Sequence, residues 1–265
     1  MKKSTKKAAV VASGWLGDTI ACSAAATSLF EKGYEVDFYI LWPQLKPILV
    51  NDQRFRTIVY SKFLISFFKR PLFQSRYDLI VREPNGWSYE EPFTSQIRRI
   101  AGCEVKSEYE LFLPKTIPNL LKDKSRPVIT FARDTEKRAY GRDISDLLKR
   151  LSPHADIEWV GLDPKLSSKK GKNKALILDA IKISQSDIFV GPEGGLLWLA
   201  AGLGKKCIYF SEHIQELAKK IERGTPTLCL GSAKHFLNSN HVELPAFCSN
   251  EYAAETIIQN LINQQ

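Results

Sequence analysis

The most informative segment of the chain is Asp187-Ile-Phe-Val-Gly-Pro-Glu-Gly-Gly-Leu-Leu-Trp-Leu-Ala-Ala-Gly-Leu-Gly204. Its apolar residues 188–190 predict a buried parallel strand. Residues 191–195 are not expected to continue a strand, and their glycines let bare backbone approach a ligand. A short helix over 196–201 precedes a second apolar strand at 207–210. A strand, a glycine turn and a helix N-terminus in this order present free backbone N–H groups that suit a phosphate or diphosphate. The alternative is an ordinary connection in which the glycines serve tight packing alone.

Apolar strands and helical segments alternate along the chain, and the alternation restarts in the second half. There the pattern predicts, among other elements, strands at 128–132 and 227–230 and helices at 144–151 and 214–223. Between the two runs, residues 113–127 carry three prolines and many charges, which suits a linker. The pattern predicts an α/β fold with two parallel sheets and covering helices. A lysine-rich segment at 169–174 is expected in a solvated loop. The expected organisation is an N-terminal domain over 1–118, a C-terminal domain over 127–250 and a closing amphipathic helix in 251–265.

A second glycine-containing loop, Ser13-Gly-Trp-Leu-Gly-Asp-Thr19, joins the first predicted strand to the first helix. In open α/β sheets, ligands gather outside the carboxyl ends of the strands, where this loop must lie. Asp18 is therefore either a helix cap or a catalytic carboxylate. Gly14 and Gly17 fall short of a full dinucleotide fingerprint, and no acidic residue with a clear ribose role ends the second strand. Both observations disfavour a nicotinamide enzyme.

Both loops resemble motifs of the heptosyltransferase-like family 9 glycosyltransferases. In that family Gly-x-Asp-Ser-Gly is followed by His-Leu-Ala-Ala-Ala-Leu-Gly, and residues 191–204 stand in register with this pattern. The family also begins with a strand, Gly-Asp and an alanine-rich helix, to which residues 17–27 are similar. Two departures are Glu193, where the family has aspartate, and Trp198, where it has histidine. The resemblance is strongest at 14–28 and 187–210 and weaker at 128–140.

The resemblance implies the GT-B arrangement, in which two Rossmann-like domains with parallel sheets face each other. The donor would bind the second domain and the acceptor the first, with the closing helix packing toward the first. The implied activity is transfer of a sugar from a nucleoside-diphosphate sugar to an acceptor hydroxyl by an inverting displacement. No metal and no other cofactor are expected. The implied acceptor is a bacterial surface saccharide such as the core of lipopolysaccharide.

The resemblance also implies roles for individual residues on the acceptor side. Asp18 would be the general base, with Gly17 and Thr19 shaping its loop. Glu83, at the end of the fourth predicted strand, is the second choice for the base. The segment that follows it offers further carboxylates and aromatic rings to the acceptor, chiefly Trp87 and Glu90.

On the donor side, the expected contacts combine cations, a carboxylate and bare backbone. Lys137 and Arg138 match a Lys-Arg pair that approaches the donor diphosphate in the family, although a solvated loop with local ion pairs would read the same way. Glu193 could accept hydrogen bonds from sugar or ribose hydroxyls. Trp198 would stack on the donor if it faces the cleft and would otherwise belong to the core. The full expected donor set is Arg133, Lys137, Arg138, Gly191, Glu193, Gly194, Gly195 and Trp198.

Composition restricts the compartment and the partners. The net charge of +9 favours an acidic partner, or merely solubility. Five cysteines without C-x-x-C spacing indicate neither a disulfide framework nor a zinc site, and they suit a reducing cytoplasm. The basic N-terminus imitates a signal peptide, but glycines and Asp18 interrupt its apolar run. We expect a cytoplasmic monomer, with peripheral association at the inner membrane face as an alternative.

Two other functions remain open at this level. A compact, basic GT-B enzyme could glycosylate hydroxymethylated bases of phage DNA, which predicts salt-sensitive binding and a base taken out of the stack. Alternatively, a degenerate GT-B fold could bind nucleotides as a non-catalytic scaffold, for which the departures at Glu193 and Trp198 are the best support.

Overall fold

The computed structural model describes residues 6–49, 52–61, 66–68, 70–86, 92–104, 125–133, 143–161, 169–211 and 241–263. Within them the chain forms two parallel sheets, and helices alternate with the strands of each. The α/β class predicted from the alternation of strands and helices is therefore confirmed.

The first sheet has the strand order β3-β2-β1-β4, and every neighbouring pair is parallel. Even-numbered residues of the central strand join the core beneath the first helix, while its odd-numbered residues face a second cluster that contains Phe68 and Phe73. A parallel strand that is covered on both faces requires this all-apolar composition. The strands and helices are β1 (Lys7–Val11), α1 (Leu16–Glu31), β2 (Glu35–Ile40), α2 (Lys46–Leu49) after a 3₁₀ turn at Pro43–Leu45, β3 (Arg56–Val59), α3 (Pro71–Gln74), β4 (Leu79–Arg82) and α4 (Phe93–Ile100).

The second sheet has the strand order β6-β5-β7-β8-β9, again with parallel neighbours throughout. Its two central strands, β5 and β7, are buried along their whole length. The elements are β5 (Val128–Ala132), α5 (Ile144–Leu151), β6 (Asp156–Val160), α6 (Lys169–Gln185), β7 (Ile188–Pro192), α7 (Gly195–Gly202), β8 (Lys206–Ser211), β9 (Val242–Pro245) and α8 (Asn250–Ile262).

Strand β7 is longer than the glycine pattern predicts. It continues through Gly191 and Pro192, which pair with Tyr209 and Phe210 of β8. Its pairing with β5 stops at Val190, so the missing N–H of Pro192 removes no bond from that ladder. The turn that leads into α7 is therefore shorter than residues 191–195.

The lysine-rich segment at 169–174 begins helix α6, whereas the sequence predicts a loop there. The four lysines of this segment form helices readily, and Ala180 and Ile183 further along the helix are fully buried and hold it to the sheet. Strand β9 is not predicted by the sequence pattern. The predicted linker up to residue 124, the predicted helix at 214–223 and the predicted strand at 227–230 lie outside the described residues, and the proposed domain boundaries stay predictions.

The closing helix α8 packs on the second half of the molecule. The hydroxyl of Ser249 accepts the N–H of Tyr252 at 3.1 Å and caps the helix. The resemblance places this helix toward the first half; instead, its apolar face meets α5, which offers a matching apolar stripe above β5 and β7. The buried residues of the pair are Ala253, Ala254, Ile257 and Leu261 of α8 with Ile144, Leu147 and Leu151 of α5.

The two halves share one hydrophobic cluster, which joins them through α1 and α7. Each of these helices begins directly after the central strand of its own sheet, β1 or β7. Because ligands bind at the carboxyl ends of parallel strands, the contact of α1 with α7 places the two candidate loops at one junction.

Candidate active site

The N-termini of α1 and α7 interlock through two glycines. A Cβ on Gly17 would stand 2.7 Å from Cδ1 of Trp198, and a Cβ on Gly195 would stand 2.7 Å from Cδ2 of Leu16. Distances below about 3 Å are far inside van der Waals contact, so neither position has room for a larger side chain. Gly17 and Gly195 therefore serve the close approach of the two helices.

Trp198 belongs to this contact between helices. Its side chain is 5% exposed and stacks on Phe93 of α4, with ring centroids 6.4 Å apart and planes 21° apart. An indole buried in this way offers no face to a ligand. Its position favours the core role over the stacking role that the resemblance suggested for it.

Asp18 lies in the first turn of α1 and is partly buried. Its Oδ2 accepts the N–H of Trp15 at 2.8 Å, which is the reciprocal half of a capping box. Thr19 is fully buried, and its hydroxyl donates to the carbonyl of Trp15 at 3.0 Å. Both side chains thus hold the loop after β1 in one conformation, and the cap fixes the direction of the Asp18 carboxylate.

Glu83 follows β4 and fastens the same loop from the other side. Its Oε2 accepts the N–H groups of Ser13 and Gly14, each at 2.6 Å. Burial raises the pKa of Glu83, and the charge of Asp18 raises it further, against the lowering effect of the two backbone hydrogen bonds. A carboxylate that bonds two backbone amides is suited to hold the loop rather than to take up protons during turnover.

The two carboxylates meet at Gly14. A Cβ built on Gly14 would overlap Oε1 of Glu83 and would lie 2.7 Å from Oδ2 of Asp18. The two residues that the sequence nominates for the base are thus brought together by the structure, 65 positions apart in the chain. Their closeness explains why the charge of Asp18 acts on the pKa of Glu83.

A cavity of about 500 Å³ opens beside this loop at the carboxyl ends of β1, β2 and β3. Trp15 and Trp42 lie on its wall, with ring centroids 6.2 Å apart. Sequence reasoning missed both residues. Each follows a central strand within four positions, and an aromatic residue placed there is the signal that could have found them.

In the second half of the molecule, Arg133 directly follows β5 and is exposed. Its guanidinium lies over the ring of Trp159, with Cζ 5.8 Å from the centroid. Glu193 is partly buried at the end of β7, and its Oε1 accepts the hydroxyl of Ser211 at 3.2 Å. These two charged side chains stand at the carboxyl ends of neighbouring parallel strands, as expected for a ligand-binding edge.

The turn between β7 and α7 depends on Gly194, whose φ of +151° and ψ of −171° suit glycine alone. Gly191 has a different reason to be glycine, since a Cβ there would stand 2.7 Å from Cβ of Ala132. By helix geometry, the first N–H groups of α7 have no partner inside the helix. The turn can therefore present them to an anion, although its glycines are required by conformation and packing.

Asp179 of α6 is a further acidic group at this edge that sequence reasoning missed. Burial raises its pKa to about 6, against the lowering effects of a hydrogen bond from the N–H of Gly161 and of the charges of Lys182 and Arg133. A single aspartate in mid-helix gives no sequence signal.

Four predicted site residues, Trp87, Glu90, Lys137 and Arg138, lie outside the described residues.

Among the described residues, no group of three or more His, Cys, Asp or Glu side chains is arranged to hold a metal ion. No helix in the described part of the chain is long and apolar enough to cross a membrane.

The sequence matches no family model and none of the curated proteins compared with it. Its fold does match solved structures. The ADP-heptose lipopolysaccharide heptosyltransferase II of E. coli aligns with a TM-score of 0.64 at 12% identity, covering 97% of this chain and 99% of that one. A family 9 glycosyltransferase from Veillonella parvula aligns with a TM-score of 0.58 at 10% identity, covering 99% of each chain.

A third match is TibC, a dodecameric iron-containing glycosyltransferase from enterotoxigenic E. coli, with a TM-score of 0.58 at 13% identity. This alignment covers 80% of the present chain, which spans 59% of the length of TibC. Identities this low show a common fold. The GT-B arrangement expected from the two loop motifs is confirmed, and the chain has the fold of the heptosyltransferases and family 9 glycosyltransferases.

Proposed function

We propose that this protein is a glycosyltransferase that moves a sugar from a nucleoside-diphosphate sugar to a hydroxyl group of a saccharide. The observation that carries the proposal is the position of Asp18. Asp18 is partly buried, its carboxylate is oriented by the backbone N–H of Trp15, and it lies in the first turn of α1, next to the loop that borders a cavity of about 500 Å³. The fold shared with known glycosyltransferases supports the same activity.

In the proposed reaction Asp18 acts as general base. It takes the proton from the acceptor hydroxyl while the hydroxyl oxygen attacks the anomeric carbon, and the bond from that carbon to the diphosphate breaks. A positioned base contributes about 10²- to 10⁴-fold to such a rate. A single displacement of this kind inverts the anomeric configuration. Glu83 holds the loop through the N–H groups of Ser13 and Gly14, so we assign it a positioning role.

The donor side would stabilise the leaving diphosphate. Arg133 supplies one cation there, and the Lys137–Arg138 pair is proposed to supply two more. The first N–H groups of α7 add the partial positive charge of a helix N-terminus. Glu193, which accepts the Ser211 hydroxyl, is placed to accept hydroxyl groups of the donor's sugar or ribose as well. With this much positive charge, we propose a displacement that needs no metal ion.

ADP-heptose is the donor to test first, because structures of TibC and of the E. coli heptosyltransferase WaaC contain ADP-heptose or an analogue of it. As acceptor we propose a phosphorylated saccharide such as the core of lipopolysaccharide. A net charge of +9 would draw a polyanionic acceptor to the protein. Because salt screens this attraction, the encounter should become slower as the salt concentration rises.

The decisive experiment compares Asp18→Asn with the wild type. The protein is incubated with ADP-heptose, or with UDP-, GDP- or CDP-sugars, and with deacylated lipopolysaccharide core, and the glycosylated product is measured by mass spectrometry. Asparagine retains an oxygen for the Trp15 N–H, so the cap survives. We expect transfer to fall by about 10²-fold or more while the nucleotide-induced shift in Tm is kept.

Glu83→Gln is the matched comparison, because glutamine keeps one oxygen that can accept the N–H groups of Ser13 and Gly14. It should retain far more transfer activity than Asp18→Asn. If Glu83→Gln is the inactive variant and Asp18→Asn is active, the two roles are reversed. If the wild type binds a nucleotide but transfers no sugar to any acceptor, including hydroxymethylated DNA, a nucleotide-binding scaffold replaces the enzyme.

A further inference from the structure

The most exposed large apolar side chain among the described residues lies next to the proposed base. Trp15 has 76% of its surface in water and comes three positions before Asp18. Its backbone N–H donates to the Asp18 carboxylate. An indole with this much of its surface in water contributes little to the packing of the chain. An aromatic residue exposed at the rim of a cavity is typical of a binding surface.

Trp15 is exposed but its surroundings are well fixed. Its carbonyl accepts both the N–H of Thr19 at 2.9 Å and the Thr19 hydroxyl. Its ring meets Trp42, whose indole N–H donates to the carbonyl of Gly14 at 2.9 Å. The exposed face is therefore held in one place before any ligand arrives, which lowers the entropy cost of binding.

The wall around the two indoles is uncharged among the described residues, and it is more apolar than polar. Besides Trp15 and Trp42, the described lining residues include Ser13, Ser61, Gln44 and Tyr60, and none of the described lining residues carries a charge. The Oε1 of Gln44 is shielded from solvent and has no hydrogen-bond partner in the described part of the chain. Such a wall suits a neutral ligand rich in hydroxyl groups better than a phosphate.

We propose that Trp15 and Trp42 form the subsite for the acceptor sugar, with the C–H face of one pyranose ring stacked on the exposed indole of Trp15. This inference rests on the proposed glycosyl transfer and names the part of the acceptor that is recognised. Stacking on Trp15 would carry a ring hydroxyl to the carboxylate of Asp18, three residues away. The phosphates of the acceptor would lie outside this wall.

The geometry favours a sugar over a nucleobase at this place. A base flipped out of a duplex is stacked between two side chains, but the rings of Trp15 and Trp42 are tilted by 42° with centroids 6.2 Å apart and form no such pair of parallel planes. A sugar needs one aromatic face only, and its hydroxyl groups suit the side chains of Ser13 and Ser61 in the lining. The ring of Trp42 contacts the ring of Trp15, and its indole N–H donates to the carbonyl of Gly14. We therefore assign Trp42 a positioning role within the subsite.

The test uses Trp15→Ala and Trp15→Phe, with Tyr252→Ala as control, since Tyr252 is an exposed aromatic residue on α8 of the second half. Deacylated lipopolysaccharide core is the acceptor and ADP-heptose the donor. We expect Trp15→Ala to raise the KM for the core oligosaccharide about tenfold or more. Trp15→Phe should recover most of the loss, and Tyr252→Ala should match the wild type.

Binding of the same oligosaccharide, followed by saturation-transfer NMR, separates this inference from the proposed function. Binding that is lost in Trp15→Ala but kept in Trp15→Phe supports the subsite even if no sugar is transferred. An unchanged KM and unchanged binding in Trp15→Ala would overturn the subsite and leave the glycosyl transfer standing. Binding of hydroxymethylated DNA through Trp15, without binding of the oligosaccharide, would also overturn it.

Discussion

The loop after β1 and the turn after β7 look alike in sequence, and their glycines have different neighbours. Both segments follow a buried central strand and lead into a helix. At Gly14 the missing side chain leaves room for the carboxylates of Glu83 and Asp18, whereas at Gly195 it leaves room for Leu16. One glycine is therefore surrounded by charge and the other by hydrocarbon. The role of a glycine in such a turn therefore depends on which atoms occupy the place of its absent Cβ.

Gly14→Ala should produce the largest effect, because the new methyl group would overlap Glu83 and crowd Asp18. The carboxylates or the loop must shift, and a displacement of about 1 Å in a catalytic group can cost about 10²-fold in rate. We expect kcat for sugar transfer to fall about 10²-fold relative to the wild type. Gly86→Ala is the matched control, since nothing lies within 4 Å of a Cβ there. Equal activity of the two variants would contradict the contact of both carboxylates with Gly14.

Gly195→Ala should act mainly on stability. Its methyl group would meet Cδ2 of Leu16 at 2.7 Å and Cβ of Leu16 at 2.9 Å, and the second atom moves only with the backbone. Overpacking of this kind costs about 1 to 3 kcal/mol in the free energy of unfolding. The double variant Gly195→Ala/Leu16→Ala should recover part of this loss in a double-mutant cycle by urea unfolding. Undiminished stability together with lost nucleotide binding would show that Gly195 serves a ligand instead.

The raised pKa of Asp179, which lies at the proposed donor side, predicts a stability that depends on pH. Its pKa is raised by burial from 3.8 to about 6, so the folded state binds this proton more tightly than the unfolded state. The resulting stabilisation is complete below about pH 3.8 and is lost as the pH rises through about 6. Asp179→Asn should therefore gain on the order of 2 kcal/mol relative to the wild type between pH 4 and pH 8, measured by urea unfolding.

Asp146→Asn is the control for this measurement, because Asp146 forms an exposed i,i+4 pair with Arg150 on α5. Because an exposed pair of this kind contributes only a few tenths of a kcal/mol, Asp146→Asn should differ from the wild type by less than about 0.5 kcal/mol at every pH tested. A pH dependence that is the same in Asp179→Asn and in the wild type would contradict the raised pKa.

The smallest expected effect is that of a chelator. If the cations at the end of β5 and the N–H groups of α7 stabilise the leaving diphosphate, EDTA should change the rate of transfer by less than about twofold. Activity is measured before and after dialysis against EDTA, with added Mg²⁺, Mn²⁺ or Fe²⁺ in parallel. A large loss that one of these ions restores would show that the donor side needs a metal.

Much of the fold follows from local patterns that the sequence displays. Apolar runs such as 128–132 and 188–190 predict central strands because a parallel strand covered on both faces has no polar alternation. The helix at 144–151 is predicted with the bounds that the structure shows. Strand β9 is missed because it is a short strand at the edge of the sheet, where Val242 and Glu243 are only half-buried, so it carries a weak apolar signal.

The candidate site is predictable in part. The sequence nominates Asp18 and Glu83 because both follow strands of the first sheet, and the structure brings their carboxylates together at Gly14. Trp15 and Trp42 are not nominated, since a tryptophan in a loop gives no sign of whether it is buried or exposed. Asp179 stays hidden for a related reason, because its raised pKa comes from burial against β5 and β6 rather than from its neighbours in the chain.

By itself the sequence determined most of the order of strands and helices, the two loops with strand, glycine and helix, and the basic charge of the chain. These depend on residue type and on spacing over a few positions. Only the tertiary structure decided that Gly195 receives Leu16, that Trp198 is buried while Trp15 is exposed, and that α8 rests on α5. Each of these depends on which atoms of distant segments fill the same space, and close packing settles that in three dimensions rather than along the chain.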